Sequence, residues 1–365
     1  VKEAARVPPT SSRRALVVLW LAVVLGACSS GGDAGGPRRA AAGDGGSAPV
    51  PTTAAPVPTY PLTGLPVTDP ATAARPALVV KIDNAPKARP QAGLDRADIV
   101  FEELVEGGVT RFLAVFQSRD ADPLGPVRSV RPVDPDIVTP LGGLFAYSGG
   151  APKFQAMIRR APVTDVGADA FPDAYRRDRS RPAPNNLFTR TPLLYTRADG
   201  QAPPPRWFDF RRPAEPFTGS GLEPVGRMVV SMGQRTSAAW TWDAGSGVWR
   251  RATNGTPHVL AGGGQYGAEN VLLQFVPYRA TDDLDVGNNH VPTAEVTGTG
   301  DVIALSGGHM VRGRWRKPAA ASVTEYEDLA GRPIRLAPGR TWVMLVPVGA
   351  YHAVEPVDGS GPGRP

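Results

Sequence analysis

The chain has 365 residues and a formal charge of +6, long enough for more than one modest core. Three of the six positive charges lie ahead of Cys28, where Lys2, Arg6, Arg13 and Arg14 face Glu3, and no long basic run is interleaved with aromatics, so a nucleic-acid partner is set aside. Cys28 is the only cysteine, which excludes an intramolecular disulfide and a thiolate metal site, and the four histidines (His258, His290, His309, His352) have no metal-ligand spacing. We therefore assign no metal and no cofactor.

The first element is a positive segment followed by an apolar run from Ala15 to Leu25, too short for a bilayer span and proportioned like a signal-peptide core. Leu25-Gly26-Ala27-Cys28 then matches a bacterial lipobox, so residues 1–27 are expected to be a lipoprotein signal peptide and Cys28 the lipidated residue. That places the chain on the outer face of the bacterial cytoplasmic membrane, held by its lipid. Residues 28–59 are rich in Gly, Pro and Ala and poor in large apolar side chains. Such a tract cannot offset its ordering entropy and reads as a disordered tether with a reach on the order of 30 Å.

The next stretch, Lys81 to Arg131, concentrates charge between short apolar runs. Ala77 to Ile82 and Ile99 to Val105 read as buried strands, and Gly107-Gly108 turns the second into Thr110 to Gln117, giving a hairpin. Asp134 is the expected cap of a short helix, Leu144 to Tyr147 a strand, and Lys153 to Arg160 a helix whose start, after Ser148-Gly149-Gly150, suits an anion. Glu102 and Glu103 are adjacent on a strand, so their side chains point to opposite faces. The charges either pair internally, Arg128 and Arg131 with Glu102, Glu103 and Asp98, or converge on a ligand. In the second case Asp83, Asn84, Arg89, Gln91, Glu103, Arg111, Arg128 and Arg131 are the ligand-binding candidates.

Several blocks carry a family resemblance: Tyr60-Pro61-Leu62-Thr63-Gly64-Leu65, Arg75-Pro76, Ala77 to Asn84, Ala88 to Leu94, Ala97 to Glu102, Glu106 to Arg111 and Gly125 to Pro132. In spelling and order they resemble the YerB-like family of candidate bacterial lipoproteins, whose activity is unassigned. The resemblance implies an N-terminal α/β part over 60–205 and a mainly-β C-terminal part over 222–354, an α+β protein overall. It also marks two departures, since Asn185 and Tyr147 stand where the family pattern has histidines, and imidazole chemistry there is not carried over. The basic run Arg176-Arg177-Asp178-Arg179-Ser180-Arg181 keeps guanidinium chemistry suited to phosphate or carboxylate.

In the second half, short strand-like runs recur at 225–232, 238–243, 247–251, 269–276, 291–296, 302–306, 309–316 and 342–347, with a strong turn at Asn254-Gly255. They predict a separate meander or small barrel, whose Trp240, Trp242 and Trp249 serve either as core or as a sugar-stacking platform. Gly262-Gly263-Gly264-Gln265-Tyr266-Gly267 spells a dinucleotide fingerprint, but a strand follows it where a helix is required. Asp283 to Asn289 resembles a calcium loop without its closing glutamate and reads as a polar turn. Two functions remain: an envelope protein that binds an anionic ligand or a partner protein, and a metal-assisted enzyme acting on an anionic envelope substrate. The enzyme reading rests on a loose similarity of Pro126-Val127-Arg128-Ser129 and Tyr147 to Pro152 to the LytR-CpsA-Psr phosphotransferases, which implies arginines on a pyrophosphate and Asp83 or Glu103 on a divalent cation.

Overall fold

Strands with apolar residues on both faces are covered on both sides, and the centre of this protein is built from such strands. In the computed structural model, which describes residues 57–285 and 287–356, they are β1 (Leu78–Asp83), β2 (Ile99–Leu104), β3 (Thr110–Phe116), β4 (Leu144–Ala146) and β5 (Thr164–Asp165). Every residue of β1 and β3 is buried. The expected hairpin forms, with β2 and β3 antiparallel and Glu103 opposite Arg111. Its turn depends on Gly107 and Gly108, both at positive φ. The expected signal peptide, Cys28 and nearly all of the expected tether lie outside the described residues.

The second half does not stand apart as a meander or barrel of its own. The large sheet runs in the order Glu325–Asp328, His309–Lys317, Gly298–Ser306, Asn270–Val276, Thr341–Pro347, β2, β3, β1, β4, β5. Thr341–Pro347 is the seam: it runs parallel to Asn270–Val276 on one side and to β2 on the other, with Val100 opposite Trp342 and Glu102 opposite Met344. Strands dominate the fold and helices are short, in keeping with an α+β protein of mainly β content. Residues 201–224 carry little regular structure yet bury Trp207, Phe208 and Phe217.

A smaller sheet of Thr256–Pro257, Val248–Thr253, Thr236–Asp243, Arg227–Gly233 and His352–Glu355 covers one face of the seam. Its Arg227–Gly233 strand alternates buried and half-buried positions, the period-2 signature of a sheet with one wet face. Trp240 and Trp249 are fully buried in this interface and are core, not a sugar platform. Trp240 lies 5.3 Å from Trp342, which lies 4.9 Å from Phe112. The helices Asp134–Val138 and Pro152–Ile158 cover the opposite face, burying Val138, Phe154 and Ile158 with Val79, Phe101 and Leu113. Asp134 does not cap its helix; Val133 holds that position and the Asp134 carboxylate turns to Lys81. Asn254 and Gly255 take the predicted positive φ between Val248–Thr253 and Thr256–Pro257.

Because β2 shares its outer edge with Thr341–Pro347, the first half alone leaves that edge and the Val100–Phe112 face bare. A fragment of residues 57–224 is expected to show no cooperative thermal transition by circular dichroism. A sharp transition, with β2 amides protected from hydrogen exchange, contradicts the shared-sheet account.

Candidate functional site

Adjacent carboxylates on β2 divide the site into two halves, one on each face of the sheet. On the helix-covered face, Glu103 pairs with Lys81, whose ammonium also bonds Asp134 at 2.6 Å. Glu106, just past the strand, takes the Arg131 Nε at 2.8 Å together with its Nη2, and the Arg111 guanidinium at 3.1 Å. Asp83 lies opposite Arg111 in the sheet, accepts from Asn185 at 2.6 Å and has the Arg128 Nε 3.0 Å away. Four cations (Lys81, Arg111, Arg128, Arg131) thus meet four carboxylates (Asp83, Glu103, Glu106, Asp134). The formal charges cancel, so most of the predicted cluster is internal pairing.

The pairing differs from the expected one. Arg128 and Arg131 do not take Glu102, Glu103 or Asp98; they take Asp83 and Glu106. Asp98 instead accepts the backbone N–H groups of Gln117 and Ser118 at 2.6 and 2.8 Å. Burial tends to push Glu106 up, but the hydrogen bonds and charge of Arg131 and Arg111 outweigh it and hold its carboxyl at about 2. Burial lowers the Arg111 guanidinium to about 10, with Arg131 adding to the effect. Burial pushes the Glu103 carboxyl up against the pull of Lys81.

On the opposite face the polar groups close into a ring. Thr110 Oγ1 donates to Glu102 Oε1 at 2.8 Å and accepts from Asn84 Nδ2 at 2.8 Å. Gln91 Nε2 donates to Asn84 Oδ1 at 3.2 Å and to the Asp83 carbonyl at 2.9 Å, leaving Gln91 Oε1 to accept from His258 Nε2 at 3.0 Å. His258 Nδ1 then accepts from Arg251 Nη1 at 2.6 Å, and Arg251 Nη2 returns to Glu102 Oε1 at 2.7 Å. This assigns His258 as the neutral Nε2–H tautomer, and burial with Arg251 and Arg89 nearby holds its pKa well below the usual imidazole range. Trp342 Nε1 donates to Glu102 Oε2 at 3.0 Å, and the Arg251 guanidinium sits 4.8 Å over the Trp342 ring. All six ring residues are buried.

Of the eight predicted ligand-binding residues, Asn84 and Gln91 belong to this ring. Asp83, Glu103, Arg111, Arg128 and Arg131 belong to the ion-pair cluster. Only Arg89 stands in neither, although it lies within electrostatic reach of Arg251 and Glu102. Arg251 and His258 were not found from the sequence, because nothing in their spacing ties them to Glu102 or Gln91. Asn185, in the family's histidine position, bonds Asp83, and Tyr147 bonds Asp165 at 2.8 Å. Arg181 is a brace, donating to the carbonyls of Ala88 and Pro90 at 3.1 and 2.6 Å. The calcium-like loop is a polar turn in which Asp285 Oδ1 accepts from the N–H groups of Gly287 and Asn289. Among the described residues no cluster of three His, Cys, Asp or Glu has a metal-binding arrangement, and no helix is long and apolar enough to cross a membrane.

Two family models match the chain, the N-terminal domain of a protein family of unknown function (DUF3048) over residues 62–203 and its C-terminal domain over 228–343. The chain is similar to YerB of Bacillus subtilis (strain 168), a candidate lipoprotein, with 28% identity over 299 residues, covering 79% of this chain and 86% of that protein. Its fold is similar to the crystal structure of Bacillus subtilis YerB, with a TM-score of 0.68 and 22% identity over 81% of this chain and 99% of that one.

The Glu106 cluster makes a prediction about acid stability. A carboxyl lowered from 4.5 to about 2 in the folded state contributes stability that is fully present above pH 4.5 and is lost as the pH falls toward 2. The shift corresponds to about 3 kcal/mol, of which solvent screening leaves part. Glu106→Gln should lower the unfolding free energy at pH 7 and flatten its pH dependence between pH 5 and 2 in urea titrations. An unchanged acid limb means that the pairing with Arg111 and Arg131 does not hold in solution.

Proposed function

The chain belongs to the DUF3048 family through both of its domains, and from that premise we propose that it is an extracytoplasmic lipoprotein that binds an anionic envelope ligand. In this reading Cys28 carries the lipid on the outer face of the bacterial cytoplasmic membrane, residues 29–59 are the tether, and the folded part works close to the membrane. The similarity to a candidate lipoprotein supports the anchoring.

One observation carries the ligand-binding reading. Arg89 is half-buried, and no side chain or backbone group among the described residues bonds or pairs with its guanidinium. Burial lowers its pKa, and the second cation Arg251 lowers it further against the pull of Glu102. No Arg89 nitrogen is sealed from solvent, so the guanidinium is open to a visitor, and a phosphate or carboxylate matches it in bidentate geometry. Arg128 stands in a neighbouring segment, since Ala92 and Gly125 exchange backbone hydrogen bonds between the Arg89 loop and the Arg128 loop. Its side chain is 27% exposed, and its Nε is close to Asp83 without an aligned hydrogen bond. The two guanidinium groups are the accessible members of the predicted set.

The enzyme reading is weaker. It needs Asp83 or Glu103 free to hold a divalent cation, whereas Asn185 and Arg128 occupy the first and Lys81 the second.

The test is a thermal-shift series on residues 29–365 with a polyprenyl phosphate and with phosphorylated envelope glycan fragments. A ligand at 100 times its dissociation constant adds about 2.7 kcal/mol to stability, a readily measured shift. Arg89→Ala should lose that shift while melting no earlier than the native chain, because its guanidinium makes no internal hydrogen bond or ion pair among the described residues. An Arg89→Ala chain that is strongly destabilised, or that keeps the full ligand shift, contradicts the assignment.

A further inference from the structure

The glycine-rich turn that fails as a dinucleotide fingerprint lies over a cleft of about 250 Å³. Arg250, Arg340, Asp95, Tyr266 and the glycines 262–264 line it. A Cβ added at any of these three glycines meets nothing within 4 Å, so the turn is open toward a visitor. Within the turn Leu260 N–H bonds the Gly264 carbonyl and Gly263 N–H bonds the Leu260 carbonyl. The N–H groups of Gly262 and Gly264 have no acceptor among the described residues.

The second observation is independent of the loop. Tyr266 is 1% exposed, and its hydroxyl has no hydrogen-bond partner. A buried hydroxyl in that state costs on the order of 1–3 kcal/mol, and native proteins leave few such groups. Burial pushes its pKa up, so it is a neutral donor. Arg119 lies within electrostatic reach of Tyr266 and Arg340, and its Nε is also buried without an acceptor. Arg340 holds Glu269 at 3.3 Å and the Asp95 carbonyl at 3.4 Å, at the long limit of hydrogen bonding. Arg250 is set more firmly by Asp243 at 3.1 Å and Ser246 at 2.9 Å. Neither Asp243 nor Glu269 lines the cleft.

A buried hydroxyl without an acceptor, two open backbone N–H groups and two guanidinium groups around one small cleft call for an anion rich in oxygen. We propose that this cleft binds the phosphoryl group of a small phosphate ester, with the phosphoryl oxygens meeting Arg250, Arg340, the Tyr266 hydroxyl and the Gly262 and Gly264 N–H groups. Asp95, the one carboxylate in the lining, selects against a second phosphate and accepts from a hydroxyl of the same molecule. The cleft is distinct from Arg89, and its assignment does not rest on the function proposed above.

The test is calorimetric titration of residues 29–365 at constant ionic strength with inorganic phosphate, glycerol 3-phosphate and glycerol. The expected result is saturable binding of glycerol 3-phosphate, weaker binding of phosphate and none of glycerol. Gly262→Asp adds charge at a position with ordinary φ and open space, so the fold is kept. It should weaken glycerol 3-phosphate at least about tenfold, through like-charge repulsion. Tyr266→Phe should weaken it as well while melting, without ligand, at the native temperature or above. Arg89→Ala should bind as the native chain does. No saturable binding, native affinity in both cleft variants, or an early-melting Tyr266→Phe overturns the proposal; native affinity in both cleft variants with loss in Arg89→Ala moves the phosphate to the Arg89 loop.

Discussion

The structure turns on one buried carboxylate. Glu102 sits in the central strand of a sheet that both halves of the chain share, and its two oxygens are bonded by Thr110, Arg251 and Trp342. A charge at 0% exposure survives only where such partners are supplied together. Thr110 comes from the first half and Arg251 and Trp342 from the second, so the carboxylate is compensated only when the halves meet. Asn84, Gln91 and His258 close the same circuit. A buried polar network of this kind gains strength in a low dielectric and fixes one arrangement, since a shifted partner leaves unsatisfied groups behind.

The neighbouring Glu103 does the corresponding work on the other face, where the residues that bind it belong to the first half alone. The alternation of a strand therefore separates two tasks, one joining the halves and one holding the loops after β1 and β2. This division explains why a charge-dense stretch is mostly structural. It also isolates what is not absorbed: Arg89 beside the ring, and the unpartnered donors around Tyr266. The first is a half-exposed cation without an internal acceptor, and the second holds a buried hydroxyl without one.

Much of the scaffold was legible in the sequence because its signals are local. Gly107-Gly108 announced the β2–β3 hairpin, Asn254-Gly255 announced its turn, and adjacent glutamates on a strand had to face opposite ways. The shared sheet was not legible, since the pairing of β2 with Thr341–Pro347 spans more than two hundred residues and leaves no periodic trace. The same holds for Arg251 and His258, which reach Glu102 and Gln91 only through that pairing. Asp134 misled as a helix cap because a carboxylate before a helix satisfies backbone N–H groups in most settings, whereas here the buried Lys81 claims it. Trp240 and Trp249 fit a ligand platform by strand position, and only the second sheet's packing decides that they are core.

The most direct test of this account is a double-mutant cycle on Glu102→Gln and Arg251→Met, followed by urea unfolding. If the buried pair ties the halves together, each single change costs about 3–5 kcal/mol because it leaves the partner charge uncompensated. The double change then costs much less than the sum, with a coupling energy of at least about 2 kcal/mol. Additive losses, within about 0.5 kcal/mol, would show that the two groups do not depend on each other and that the halves are held together by packing alone.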